Sequence, residues 1–522
     1  MKEMLRSAGI FLLAACAGYA AETENAPARG KAEHVVVVVW DGMRPDFVTA
    51  QTTPTLYKLS QEGVFFQRNH SVYVTSTEVN GTAIATGVYP NRSHIIANRE
   101  YRPDIDPLVP VAMESGTTIL AGDANGKYLG VATLEETLQN AGHRTVIAGT
   151  KSVALLPDRS TNRSSDAAKN SVVIYNGKSI PPAAIDEAAQ ALGTPFPPTV
   201  TFPNRDEDAW TTRALTEFLW KDDVPDFSLL WMSDPDFSQH NTAPGSPIAL
   251  GALKSADDNL ARVLATLDAK GVRDKTDIFI VSDHGFSTID AASDVAVELK
   301  KAGFVAERTF KAPPKPGDIM VVGVGGSVLF YVTSHDAGVT QKLVDYLQGC
   351  DFAGVIFTRE KMKGTFTLDQ ARVNSPAAPD VMVAMHWSEA PNKSGVAGSM
   401  TADSTRKPGQ GTHATLSRFD VHNTLIAAGP DFKRGLADTL PSANVDVAPT
   451  ILWILGVQPA EPLDGRVLFE ALSTSGSAEK LPETESRVTV ERNDSGIRWR
   501  QYLHFTQLGP YLYLDEGNGG KR

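Results

Sequence analysis

Along this chain, apolar runs of two kinds alternate. Residues 34–40 form an unbroken run dominated by valine, apolar at consecutive positions, the pattern of a strand buried on both faces of a parallel sheet. The run stops at Asp41-Gly42. Residues 53–63 then carry the punctuation of a helix, with Thr53 as N-cap, Pro54 at the first position and Gly63 past the end. The alternation recurs three times. A helix is expected over 134–141 and a strand over 144–148 that runs into Gly149-Thr150-Lys151. A helix over 208–220 precedes a strand over 226–232 that ends at Ser233-Asp234-Pro235-Asp236. A helix over 250–269 precedes a strand over 276–281 that ends at Ser282-Asp283-His284-Gly285. Strands alternating with helices predict an α/β fold with a largely parallel sheet and helices on both faces. In such sheets binding groups gather beyond the carboxyl ends of the strands, and four strands here deliver Asp41, Lys151, Asp236 and the Asp283-His284 pair to that end.

Two stretches break the rhythm. Residues 157–203, rich in Ser, Asn, Pro and Ala, read as an inserted cap. Residues 302–391 mix short strand candidates with one helix over 338–347 and read as a smaller α+β subdomain. The expected organisation is a catalytic domain over 32–470 carrying these two insertions. A β-rich extension over 471–522 follows, with hairpin or edge strands in 487–514.

Composition narrows the class. The 522 residues are 42% apolar and 21% charged, as in a globular protein, and the net charge of -12 argues against bulk nucleic-acid binding. A small anionic substrate stays compatible with that charge if metal cations supply the local positive field. At the N-terminus, Lys2 and Arg6 precede the apolar run 8–15 and small residues follow, which predicts a targeting segment over 1–21 and an exported protein. Leu13-Ala14-Ala15-Cys16 resembles a bacterial lipobox, which would leave Cys16 lipidated on an outer membrane. Cleavage after Ala20 or Ala21 would instead release a periplasmic enzyme. With only Cys16 and Cys350 present, no intramolecular disulfide and no cysteine metal site is expected, and Cys350 reads as a core residue.

The chemistry gathers on Tyr73-Val74-Thr75-Ser76-Thr77-Glu78-Val79-Asn80-Gly81, which offers three hydroxyls in a row at the entry to a helix. One of them is expected to be a metal-activated nucleophile. Zinc favours nitrogen and carboxylate ligands, and the candidates are Asp41, Asp236, His240, Asp283, His284 and His413. Asp236 and His240 read as neighbours in a loop past a strand, and His413 lies in a glycine-bracketed loop. Alone, each is more often a turn, cap or surface residue. Together they are three carboxylates and three imidazoles after strands or in glycine-rich loops, enough for two divalent ions of the kind that clamp a phosphoryl group.

These landmarks resemble the alkaline phosphatase superfamily, and within it the type I phosphodiesterase/nucleotide pyrophosphatase branch. The matching motifs are Val39-Trp40-Asp41-Gly42, Thr77-Glu78-Val79-Asn80-Gly81 with Thr86-Gly87-Val88-Tyr89-Pro90, and Asp234-Pro235-Asp236 to His240. Ser282-Asp283-His284-Gly285, Gly411-Thr412-His413, Asp446-Val447-Ala448-Pro449-Thr450 and Leu463-Asp464-Gly465-Arg466 complete the set. The resemblance implies one zinc held by Asp236, His240 and His413 and a second held by Asp41, Asp283 and His284. It singles out Thr77 over Thr75 and Ser76, with Thr77 bridging toward the second ion and forming a phosphothreonine. Asn98 and the backbone N–H near Glu78 would hold phosphoryl oxygens. The branch's usual Thr-Phe-Pro-Asn-His reads Thr77-Glu78-Val79-Asn80-Gly81 here, so Glu78 and Gly81 depart from the pattern.

Phosphomonoesterases and phosphonoacetate hydrolases of the superfamily resemble the chain at Lys151, but carry a second basic residue where this chain has Val153. A half-clamp of Lys151, with Phe237 and Tyr101 to stack a base, favours a small nucleotide or phosphodiester substrate. A monoester or phosphonoacetate is the nearest alternative. A sulfatase would need a Cys or Ser in its own motif, which neither cysteine supplies. A non-catalytic exported binding lipoprotein has no chemical reason to keep six converging ligands.

Overall fold

The computed structural model describes residues 30–126, 128–403, 406–473 and 481–522; the expected targeting segment and Cys16 lie outside them. Its centre is a nine-stranded sheet. Five parallel strands form the middle, in the order Thr276–Val281, His34–Trp40, Phe227–Met232, Thr145–Gly149 and Val172–Tyr175. Leu425–Ala428, Val64–His70 and Leu436–Ala443 extend one edge, and antiparallel Lys178–Ile180 closes the other.

The valine run explains why this sheet is covered twice. Side chains alternate across a strand, so Val35, Val37 and Val39 enter one core while Val36, Val38 and Trp40 enter another. The first core receives Val79 and Ala83 of the helix Thr77–Thr86 and Ile451 of Val447–Leu455. The second receives Leu56 and Leu59 of Pro54–Glu62 and Leu253, Leu260 and Leu267 of the long helix Pro247–Ala269.

Residues 157–203 are not only a cap. They supply the strands Val172–Tyr175 and Lys178–Ile180 to the main sheet before returning through the helix Ala184–Leu192. Val172-Val173-Ile174-Tyr175 is a four-residue apolar run, too short to stand out from its polar surroundings. Residues 306–385 build a six-stranded mixed sheet with the helix Ala337–Leu347, and Ser287–Ser293 joins Trp387–Pro391, Ala397–Asp403 and Gly411–Thr412 in a four-stranded sheet. Cys350 is half-buried against the end of that helix rather than in the core, and burial pushes its thiol up to about 11.

Three long antiparallel strands, Glu483–Asp494, Ile497–Leu508 and Tyr511–Lys521, end the chain. They are fastened to the rest by side chains. The Gln501 amide pairs with both backbone groups of Ile356, at 2.7 and 3.0 Å, and His70 Nε2 lies 2.8 Å from Asp515 Oδ1. Among the described residues no helix is long and apolar enough to cross a membrane.

Thr53 does not cap the first helix with its side chain; its hydroxyl donates to Phe47 O. The carboxylate of Asp257, buried on the long helix, instead accepts from Thr55 N–H (3.0 Å) and Leu56 N–H (2.9 Å). Those are two of the four orphan donors of a helix start. Asp257→Ala is therefore expected to cost about 1–2 kcal/mol of folding stability, read as a lower denaturation midpoint at unchanged slope. A shift below the error of the titration would remove the assignment.

Candidate active site and metal centre

The carboxyl ends of the parallel strands converge as the pattern required. Asp41 follows Trp40, and Gly42 turns the chain in the left-handed region (φ +72°), where a Cβ would meet Phe286 and Asp236 at 3.0–3.1 Å. The turn aims Gly42 N–H at Asp283 Oδ1 (2.9 Å), which also accepts from His284 N–H (3.0 Å). Trp231 Nε1–H donates to Asp41 Oδ2 (2.8 Å).

Asp236 and His240 are not in a loop. Asp234-Pro235 stops the strand and Asp236–Thr242 is a short helix. The spacing of four then stacks both side chains on one face, with His240 Nε2 3.2 Å from Asp236 Oδ1. Gly411–Thr412 likewise pairs as a short strand with Ser287–Thr288, which fixes the approach of His413.

Two groups of potential metal ligands result, Asp41 with Asp283 and His284, and Asp236 with His284 and His413. Within each, the ligand atoms lie within 4.8 Å of one another. His240 joins the second through Asp236, and the rings of His284 and His413 stack with centroids 3.6 Å apart.

The hydrogen bonding around these groups is that of a site made for cations. Each imidazole gives Nδ1 to a backbone carbonyl: His240 to Gly411 (3.0 Å), His284 to Gly285 (2.9 Å), His413 to Thr75 (2.8 Å). A carbonyl requires a proton on Nδ1, which leaves the Nε2 lone pair for a metal. Burial, aided in His413 by His284, holds His240 and His413 below the usual imidazole range and so favours the neutral ligand form. Three carboxylate oxygens, Asp41 Oδ1, Asp236 Oδ1 and Asp283 Oδ2, are buried with no hydrogen-bond partner. Buried orphan oxygens of this kind are costly unless a cation meets them. The residues present thus fit divalent cations.

Thr77 opens its helix at the edge of this cluster, 2% exposed, with Oγ1 3.3 Å from His284 Nε2 and 3.5 Å from Lys151 Nζ. Thr75 and Ser76 are turned elsewhere: the Thr75 hydroxyl donates to Thr415 O, and Ser76 Oγ is buried without a partner. Lys151 Nζ also reaches Asp41 Oδ2 (2.8 Å) and Asp236 Oδ2 (3.1 Å). Burial alone would lower its pKa, but Asp236, Asp41 and Asp283 outweigh that and hold the ammonium charged.

A cavity of about 880 Å³ opens from this floor. Thr77, Asn98, Lys151, Phe237, Asp236, His240 and His413 all line it. Asn98 Oδ1 accepts from Glu78 N–H (2.9 Å), so that N–H is engaged with Asn98 and is not a free phosphoryl donor. The Asn98 NH2 lies on the cavity wall, where it donates to Glu114 Oε2 (3.3 Å). Phe237 lies 5.2 Å from Lys151 Nζ. Tyr101 does not reach the cavity: it is 6% exposed, packed edge-on against Phe310 and Tyr331, and its hydroxyl donates to Pro107 O. Its place in the sequence just after Asn98 suggested access, but the short strand Arg99–Glu100 turns it inward.

The departures at Glu78 and Gly81 have structural causes. Glu78 is fully buried, accepts from the Tyr128 hydroxyl, and burial pushes its carboxyl up to about 8. A Cβ on Gly81 would lie 2.6 Å from Val153 Cγ2 and 3.1 Å from Trp231, so Gly81 and Val153 fill one space between them. Further lining residues came from no motif: Glu114, Arg99, Arg308 and Arg406. Arg406 brings a cation to the cavity from a distant segment, facing Asp236 and Glu114.

Three comparisons agree with this geometry. Residues 35–395 match the family model described as type I phosphodiesterase/nucleotide pyrophosphatase. Bis(5'-adenosyl)-triphosphatase enpp4 of Xenopus laevis is 23% identical over 436 residues, 83% of this chain and 79% of that protein. Venom phosphodiesterase 2 of Crotalus adamanteus is 24% identical over 266 residues, 50% of this chain and 28% of that one. Human ectonucleotide pyrophosphatase/phosphodiesterase 5 shares the fold, with a TM-score of 0.59 at 16% identity over 84% of this chain and 100% of that one. The murine protein, solved in an inactive form in complex with AMP, superposes equally well.

Proposed function

The chain belongs to the type I phosphodiesterase/nucleotide pyrophosphatase family, metal-dependent hydrolases of phosphoric ester and phosphoanhydride bonds, and from that premise we propose that it is an exported two-zinc enzyme cleaving phosphodiester or nucleotide pyrophosphate bonds through a phosphothreonine on Thr77. The observation that carries the proposal is the position of Thr77 Oγ1. It lies 3.3 Å from His284 Nε2, beside three partnerless carboxylate oxygens. Asp236, His240 and His413 would hold one ion and Asp41, Asp283 and His284 the other. The cations supply the charge that stabilises an alkoxide and a leaving oxygen.

The residues of the chain do the rest. Thr77 Oγ gives its proton to solvent and forms a bond to phosphorus as the bond to the leaving oxygen breaks, and the departing oxygen takes a proton back from solvent. Water then attacks phosphorus, the P–Oγ bond breaks, and Thr77 regains its proton. Lys151, charged and 3.5 Å from Thr77 Oγ1, offsets the negative charge of the phosphoryl group. Asn98, oriented by Glu78 N–H, donates its amide to a non-bridging oxygen. Asn98→Ala is expected to lower kcat by roughly 10²-fold, the usual cost of one such donor. An unchanged kcat in single-turnover assays would remove Asn98 from the reaction.

The enclosed floor, with Val153 in place of a second cation beside Lys151 and Phe237 above it, favours a diester over a monoester. Hydrolysis of bis-p-nitrophenyl phosphate, thymidine p-nitrophenyl phosphate, p-nitrophenyl phosphate and phosphonoacetate separates the readings. Diester turnover well above monoester turnover is expected, and the reverse would make the enzyme a phosphomonoesterase. Export rests on Lys2, Arg6 and the apolar run that follows them.

A further inference from the structure

Glu114 is a carboxylate in a cavity whose floor must receive an anion, and no step of the proposed reaction uses it. The short strands Arg99–Glu100 and Val111–Ala112 pair as an antiparallel ribbon, and Met113 N–H donates to Asn98 O (2.8 Å), which sets Met113 opposite Asn98 and Glu114 one residue beyond it. Asn98 Oδ1 is taken by Glu78 N–H, so its amide nitrogen turns the other way and donates to Glu114 Oε2 at 3.3 Å. An amide nitrogen has two protons. If one goes to Glu114, the other is the proton available to a phosphoryl oxygen.

We propose that Glu114 is a specificity-determining residue that excludes phosphomonoester dianions from this site. The inference rests on the phosphodiesterase reading above. Two acceptors on the two N–H bonds of one amide stand about 5 Å apart. A phosphoryl oxygen on Asn98 is therefore held near the Glu114 carboxylate. A diester carries one negative charge over two non-bridging oxygens, whereas a monoester carries two over three. The second charge meets a like charge at short range, an unfavourable contact built against the wrong substrate. Lys151, Arg99 and Arg406 also face Glu114 and attract any phosphate. Glu114 thus offsets part of the attraction that Arg99 and Arg406 add to the half-clamp of Lys151.

The test compares methyl p-nitrophenyl phosphate with p-nitrophenyl phosphate, a diester and a monoester with one leaving group, in the metal-loaded full chain. Alkaline buffer keeps Glu114 ionised although the cavity wall pushes its carboxyl up. Glu114→Gln keeps the shape and removes the charge. The monoester-to-diester ratio of kcat/KM is expected to rise roughly tenfold or more, chiefly through the monoester KM, and Glu114→Asp should restore the wild-type ratio. Competitive inhibition by inorganic phosphate should tighten in Glu114→Gln by a similar factor, a reading independent of turnover. If both substrates fall together and phosphate inhibition is unmoved, Glu114 only positions Asn98 and the inference is overturned. Wild-type enzyme without diester turnover would instead sink the phosphodiesterase reading, a failure visible before any variant is made.

Discussion

Thr77→Ala lowers turnover of bis-p-nitrophenyl phosphate by roughly 10⁴-fold or more, the scale on which loss of a nucleophile is felt, while leaving most of the metal bound. The asymmetry follows from the geometry. The six candidate ligand side chains come from six other positions, and of these His284 approaches the Thr77 hydroxyl, through Nε2 at 3.3 Å. Removing that hydroxyl takes away the only cavity-lining threonine oxygen beside both Lys151 and His284 among the described residues, and leaves the carboxylates and imidazoles where they are. Ser76 is adjacent, but its Oγ is buried without a hydrogen-bond partner. Thr77→Ser should therefore retain activity within about 10²-fold of wild type, as a hydroxyl on the same carbon keeps the attack geometry. Turnover and metal content measured on the same preparations separate a lost nucleophile from a lost site. Substantial activity in Thr77→Ala would end the assignment.

Stripping the metal with a chelator is expected to abolish activity and to lower the melting temperature together. Asp41, Asp236 and Asp283 are all buried, and Asp41 is pushed well above the usual carboxylate range by its burial and by Asp283. Like charges so enclosed oppose folding unless cations balance them, and among the described residues Lys151 is the lysine paired with them. Cations that bind the folded chain and not the unfolded one stabilise it by about 4 kcal/mol at a thousandfold excess over Kd. The melting temperature should fall by several degrees on stripping, and zinc should restore it along with turnover. A stripped protein that melted unchanged yet regained activity with zinc would mean that the carboxylates are balanced by Lys151 alone.

Much of this site was legible because it obeys two simple rules. A valine run reads as a strand buried on both faces, and acidic residues at the ends of such strands share one crevice, so Asp41, Asp236 and Asp283 could be grouped from spacing alone. Thr77 needed a family pattern to separate it from Thr75 and Ser76. Hydrogen bonding agrees with that choice as far as Thr75, whose hydroxyl is spent on Thr415 O. Local rules failed where partners lie far along the chain. Thr53 looked like a cap because its type and position fit, but Asp257 took the role from a helix two hundred residues away. Tyr101 follows Asn98 closely, yet a two-residue strand turns it into the core. Glu114 and Arg406 carry no spacing signal at all, because cavity walls are assembled from loops whose proximity the tertiary fold creates.

The most direct test of a Thr77 intermediate is the stereochemical course at phosphorus, followed with a chiral phosphorothioate diester in isotopically labelled water. Each in-line displacement inverts the phosphorus centre, so attack by Thr77 followed by attack of water gives net retention. Retention is the result expected here; inversion would mean that water attacks the substrate directly and that Thr77 never forms a bond to phosphorus.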